Sequence, residues 1–523
     1  MRFPRYALMT IAAVVLLIGA AVLAAFLYPR LRRVDYVNQQ VVLQRPLIVP
    51  PLLEAHVDGD EKVFGLRVLH GQTALLPGKL ADTAGFNGTF LGPTVRAHRG
   101  DKIRINVTNE LSETTTVHWH GMHLPAEMDG GPHQIILPGA TWSPYWTVAN
   151  DAATLWYHPH MAGKTGPQVY SGLAGLFIID DANSDALSLP KTYGFDDIPL
   201  IVQDRNFDAA GQLAYGDTRM RESFGQLGET ILVNGTYAPY VEVPQKLVRF
   251  RLVNASNARR YNFGFSDGRS FHQIATDGGL LDTPVERTRM VLGPGERGEI
   301  VVDMSADDRP LTLISDAVPG AARMFHLMRS VRLGQGDEYQ KFKILELRPR
   351  PSSTPIGTLP RILNALPSLD SNSAVRTRVF ALNDRMSIND QSMDHMRVDQ
   401  IVRKDDTEIW EIRDREALFV HPFHIHGVQF RIVDRDGRPP DAYERGWKDT
   451  VLVNPLETVQ ILVRFADYSN PHLPYMFHCH ILEHEDMGMM GQFVVVDTLS
   501  EQVRIISPLT KMDQAGHPHT QTQ

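Results

Sequence analysis

The chain has 523 residues, more than one hydrophobic core of roughly 250–300 residues organises, so two to four domains are expected. With 43% apolar, 21% charged and 8% aromatic residues it can bury sizeable cores, which excludes a mostly disordered protein. A formal charge of -8 without any long Lys/Arg run excludes a phosphate-tracking surface, so nucleic acid is not an expected partner.

Ala7 to Tyr28 is an uncharged run of 22 residues, long enough to cross a bilayer as a helix. It exceeds the about 7–15 apolar residues of a usual signal peptide, and no A-x-A cleavage site closes it. Residues 1–34 are therefore expected to form a membrane anchor or signal segment, with the uncleaved anchor favoured. Arg30, Arg32 and Arg33 follow the run and by themselves would keep the rest of the chain in the cytoplasm. The metal chemistry read below suits an extracytoplasmic space, periplasm or cell surface, and overrides that signal.

From about residue 45 onward the pattern is all-β, with short alternating strands between Gly, Pro, Asn and Asp turns. Ile103, Ile105 and Val107 alternate in the region 45–185, Val248, Phe250 and Leu252 in 190–345, and Val459, Ile461, Val463 and Phe465 in 373–500. A Pro/Ser-rich stretch, Arg348 to Pro360, marks a linker over 346–372, and 501–523 is a tail. The first and third regions repeat one another. Leu155 to Asp180 parallels Tyr475 to Asp497, and HWHGMHLP at 118–125 echoes HPFHIHGVQF at 421–430. The middle region keeps the strand rhythm but has no His-x-His, so three β-sandwich domains are expected, with metal ligands on the outer two. Around Ile481 to Glu485 a helical turn is possible.

The repeated His-x-His pairs are His118/His120, His158/His160, His424/His426 and His478/His480. Residues i and i+2 of a strand face one side, so each pair offers two imidazoles to one place. Cys479, the one cysteine, lies between His478 and His480 and should point to the opposite face. His421 sits at odd offsets from His424 and His426 and should turn the same way as Cys479. With His484 and a thioether from Met487 to Met490, these residues can make a two-histidine, one-thiolate, axial-methionine site of the blue-copper type. Eight imidazoles on the other face are too many for one metal and suit three coppers.

HWHG, HPH, HPFHIHG and HCHILEHEDMGMM resemble, in order and spacing, the copper motifs of the multicopper oxidase (laccase-type) family across roughly residues 45 to 497. The resemblance implies three cupredoxin-like Greek-key sandwiches and four copper ions. It implies His421, Cys479, His484 and Met489 as type 1 ligands and His118 with His424 as the type 2 pair. His120, His158 and His480 would hold one type 3 copper, and His160, His426 and His478 the other. Asp129 and Glu485 resemble the family's proton-relay positions, and dioxygen with a small reducing donor (a phenol, Cu(I) or Fe(II)) would be the substrates.

INDQSMD, NASNARRYNFGFSDGR and HCHILEHED are most similar to the bacterial copper efflux oxidase branch. That branch's Met-rich insertion is absent, Met386, Met393 and Met396 are sparse, and Ala417 and Phe419 stand where the branch has an Asp and a Met. An organic donor then becomes the alternative to a cuprous one. His133, Met324 and Met328 are further candidate contacts. The competing readings are a copper-binding or envelope scaffold without turnover and a copper nitrite reductase; all ten family histidines are present, which speaks against a copper-free structural relative such as the family's septal member. The reductase lacks a type 3 pair, so His158/His160 speak against it.

Overall fold

The computed structural model describes residues 36–216, 218–318, 340–353, 357–368, 370–383, 385–416 and 419–506. The Ala7–Tyr28 run, Met324, Met328, Ala417 and the end of the tail lie outside the described residues. Among the described residues no helix is long and apolar enough to cross a membrane.

Among the described residues, alternating apolar residues build six sheets that pack as three two-sheet sandwiches. In the first, Phe64, Leu66, Ile103 and Ile105 of a six-stranded sheet meet Trp119, Leu155, Tyr157 and Phe177 of a four-stranded one. In the second, Phe250 and Ile300 of a seven-stranded sheet meet Phe263 and Leu345 of a six-stranded one. The third closes Trp410 and Ile461 on Phe423, Phe477 and Phe493, from two five-stranded sheets. The helices are short, as in Thr165–Ser171 and Leu482–Asp486, and the latter is the helical turn expected after the last His-x-His.

Two element limits differ from the sequence reading. Arg45–Pro46 pair in parallel with Pro239–Tyr240, so the chain joins the second sandwich's sheet before entering the first. The strand Phe342–Arg350 runs into the stretch expected as linker, because Leu345 and Leu347 still bury in the second core.

The strands place the histidine motifs in register. His118–His120 pairs with Ala153–His158 so that His118 stands opposite His158. His421–Ile425 pairs with Asn470–Cys479 so that His424 stands opposite His478 and Phe423 opposite Cys479. Trp119 and Tyr157 point into the first core, Phe423 and Cys479 into the third, so the alternate histidines are turned out toward the junction of the two sandwiches. Asp486 fastens that junction, accepting the backbone N–H groups of Thr165 (2.9 Å) and Gly166 (2.8 Å).

Candidate metal centre

On the core side of the third sandwich, His421 Nδ1 lies 3.4 Å and His484 Nδ1 3.8 Å from Cys479 Sγ. All three residues are buried, and their donor atoms lie within 4.8 Å of one another. Met489 is buried in the same core; its carbonyl accepts the Cys479 N–H (3.1 Å) and its N–H donates to the His484 carbonyl (2.9 Å). The residues expected as one site are thus brought together. Burial holds the His421 imidazole down to about 4 and pushes the Cys479 thiol up. The imidazole is then a ready neutral ligand, and the thiol needs a cation beside it to ionise.

Across the strand, eight buried imidazoles converge from the first and third sandwiches. Three sets have donor nitrogens within 4.8 Å: His120, His158 and His480; His160, His426 and His478; and His118, His120 and His424. His478 Nε2 lies 3.1 Å from both His160 Nε2 and His426 Nε2. Burial holds His118, His120, His158, His426, His478 and His480 well below the ordinary imidazole value, and His160 down to about 3. All seven stay neutral and free to bind a metal.

Outer partners decide which nitrogen faces the centre. His118 Nδ1 donates to the Asp129 carbonyl (2.9 Å), His424 Nδ1 to the Asp449 carbonyl (2.8 Å) and His158 Nδ1 to the Pro159 carbonyl (2.8 Å). Each leaves Nε2 as a lone pair. His120 is reversed: its Nε2 lies 3.0 Å from Asp449 Oδ1, which leaves Nδ1 for the centre. His118 Nε2, His424 Nε2 and both ring nitrogens of His480 are buried without a hydrogen-bond partner. A borderline-soft cation is the partner such a set of nitrogens fits, and copper suits it together with the thiolate.

Asp129 and Glu485, the two candidate proton carriers, both reach cluster imidazoles. Asp129 Oδ2 is 2.8 Å from His426 Nδ1, and Glu485 lies 3.4 Å from His160 Nδ1 and 3.3 Å from His478 Nδ1. Burial raises both carboxyls well above the usual range, so each can hold a proton beside the cluster. Asp449 and Arg297 escaped the sequence reading. Arg297 Nη1 donates to Asp449 Oδ1 (2.7 Å) and Nη2 to Oδ2 (2.5 Å), both side chains fully buried. Burial alone raises the Asp449 carboxyl, but Arg297 and His120 hold it well below its usual value, so it stays charged and anchors His120. His133 is buried and bonded to Gln492, outside these metal sets.

Profiles described as multicopper oxidase match residues 68–184 and 366–498. Multicopper oxidase mco of Staphylococcus epidermidis is 35% identical over 455 residues, which cover 86% of this chain and 92% of that protein. The chain belongs to the multicopper oxidase family. Within the family it is similar to cell division protein FtsP of Escherichia coli K12, at 37% identity over 86% of this chain and 93% of that one. Among solved structures it resembles the laccase-like multicopper oxidase CueO from Ochrobactrum sp., with a TM-score of 0.78 and 34% identity over 86% of this chain and all of that one. The laccase from Pediococcus acidilactici Pa5930 superposes with a TM-score of 0.77 at 36% identity, over 87% of this chain and 94% of that one. A multicopper oxidase of this laccase-like kind is an enzyme that binds copper, oxidises a reducing substrate and consumes dioxygen.

Proposed function

We propose that this oxidase holds four coppers in an extracytoplasmic space, takes single electrons from a small donor at the Cys479 site and reduces dioxygen to water at the imidazole cluster. The observation that carries the reading is the meeting of eight imidazoles from two sandwiches on one side of a strand whose other side carries Cys479. Copper bound there supplies one-electron chemistry at the thiolate and the four-electron capacity that dioxygen needs.

His421, Cys479, His484 and Met489 are read as the type 1 ligands and His118 with His424 as the type 2 pair. His120, His158 and His480, and His160, His426 and His478, are read as the two type 3 sets. Cys479 is joined through the backbone to His478 and His480, one in each type 3 set, so the covalent path from sulfur to either set is one residue long. Burial of all eight cluster imidazoles excludes bulk water. Asp129 and Glu485 hold protons at their carboxyl oxygens and hand them inward.

A phenolic donor is favoured over Cu(I) or Fe(II). The Phe419 ring lies 6.2 Å from that of His421 and 6.0 Å from that of His484, with Phe224 5.7 Å from Phe419, and no Met-rich insertion is present in the sequence. The related Ochrobactrum oxidase is described as active on lignin model compounds and lignosulfonate. Ala7–Tyr28 is read as the membrane anchor; fractionation of the full chain with membranes tests it.

Cys479→Ser should abolish both the blue absorption and dioxygen consumption, measured by spectroscopy and an oxygen electrode. A preparation with about four coppers per chain that consumes no dioxygen with phenolic, ferrous or cuprous donors would overturn the reading. The relatives named cell division protein favour a second one, an envelope scaffold without turnover. Copper per chain after reconstitution separates them: near four for the oxidase, near zero for the scaffold.

A further inference from the structure

His133 is 2% exposed and follows the Gly130–Gly131–Pro132 turn beyond Asp129. Its Nε2 lies 2.8 Å from Gln492 Oε1. The amide nitrogen of Gln492 is committed to the carbonyls of Asp394 (3.2 Å) and Arg397, so its oxygen is the acceptor and His133 Nε2 carries the hydrogen. His133 Nδ1 is therefore a bare lone pair, and it is buried without a hydrogen-bond partner. Burial holds this imidazole down to about 4, which keeps it neutral. His118 and His424 are prepared for metal in the same way, one nitrogen donating to a fixed oxygen and the other left bare.

A second imidazole packs edge-on against it. The His395 ring lies 6.1 Å from that of His133 at 86°, close to the 5.9 Å and 63° that separate His118 from His424. Met393 and Met396 stand two residues before and one residue after His395 in the chain, within reach of soft thioether ligation. That turn is tied to the type 1 loop, since the Met393 N–H donates to the Gly488 carbonyl (2.9 Å) beside Met489.

We propose that His133 and His395 hold one further copper, as the cuprous ion, at the junction of the first and third sandwiches. The site rests on the copper-oxidase reading for its metal but shares no ligand with the four-copper set. Imidazole suits copper among available ions, and neighbouring thioethers favour its cuprous state.

The test loads the copper-replete full chain with Cu(I) without oxygen, strips it with graded bicinchoninate and counts copper per chain after gel filtration. The wild type should retain one copper more than His395→Ala or His133→Phe. Half-stripping of that extra copper should need about tenfold or more chelator in the wild type than in His395→Ala. His395→Met should keep the extra ion, because a thioether replaces one cuprous ligand with another, whereas a merely structural histidine would not be rescued. Unchanged blue absorption in the His395 variants reports an intact type 1 site. Equal copper in wild type and His395→Ala overturns this site alone, and a wild type that holds no copper overturns the oxidase reading with it.

Discussion

Asp129 and Glu485 are carboxyls in places where charge is costly, each within hydrogen-bonding or near-contact range of a cluster imidazole. Glu485→Gln keeps the shape and removes the proton, so turnover should fall by about 10²–10⁴ while copper content and blue absorption persist, as read by oxygen uptake at saturating donor. Asp414 offers a separate test through stability. Burial pushes its carboxyl up to about 7, and its Oδ2 has no hydrogen-bond partner. A raised folded value means the folded state keeps its proton after the unfolded chain has lost it. Stability should therefore be fullest below about pH 4 and be lost as pH rises to about 7, by roughly 2–4 kcal/mol from this residue. Asp414→Asn should flatten that decline in denaturant titrations of the copper-free chain. At this scale the sequence was informative where a residue repeats a spacing: parity put Cys479 and His421 opposite the His-x-His pairs, and the sheets keep that parity. Arg297 and Asp449 were illegible because neither belongs to a motif, and only folding brings residues 152 positions apart within 2.7 Å.

One element that constrains the cluster from outside is the turn at 293–297 in the second sandwich. Gly295 there has φ +82°, and a Cβ on it would stand 2.8 Å from the His480 ring. Gly295→Ala is strained in the backbone and crowds that imidazole. The variant should keep the blue absorption of the Cys479 site, lose cluster copper and fall below four coppers per chain, measured by metal analysis beside the spectrum. Strand rhythm gave the existence of the elements but not their ends. Periodicity is blind to pairing partners, so the reach of Phe342–Arg350 and the pairing of Arg45–Pro46 with the second sandwich could not be read.

Over the whole molecule, Arg297 ties the three sandwiches together: it donates to the Thr154 carbonyl of the first (3.1 Å), the Asp277 carbonyl of its own (2.9 Å) and the Asp449 carboxylate of the third. Arg297→Leu leaves the buried Asp449 carboxyl without its cation. The expected cost is about 3–5 kcal/mol in denaturant unfolding of the copper-free protein, with His120 loosened as well. The division of the imidazoles carries one more consequence. Four come from residues 118–160 and four from residues 424–480, so no stretch of chain short of the last motif can assemble either the His120, His158 and His480 set or the His160, His426 and His478 set. On the four-copper reading proposed above, the cluster can be filled only once the last motif has been made, and a product truncated before residue 478 has no complete set with which to reach oxygen.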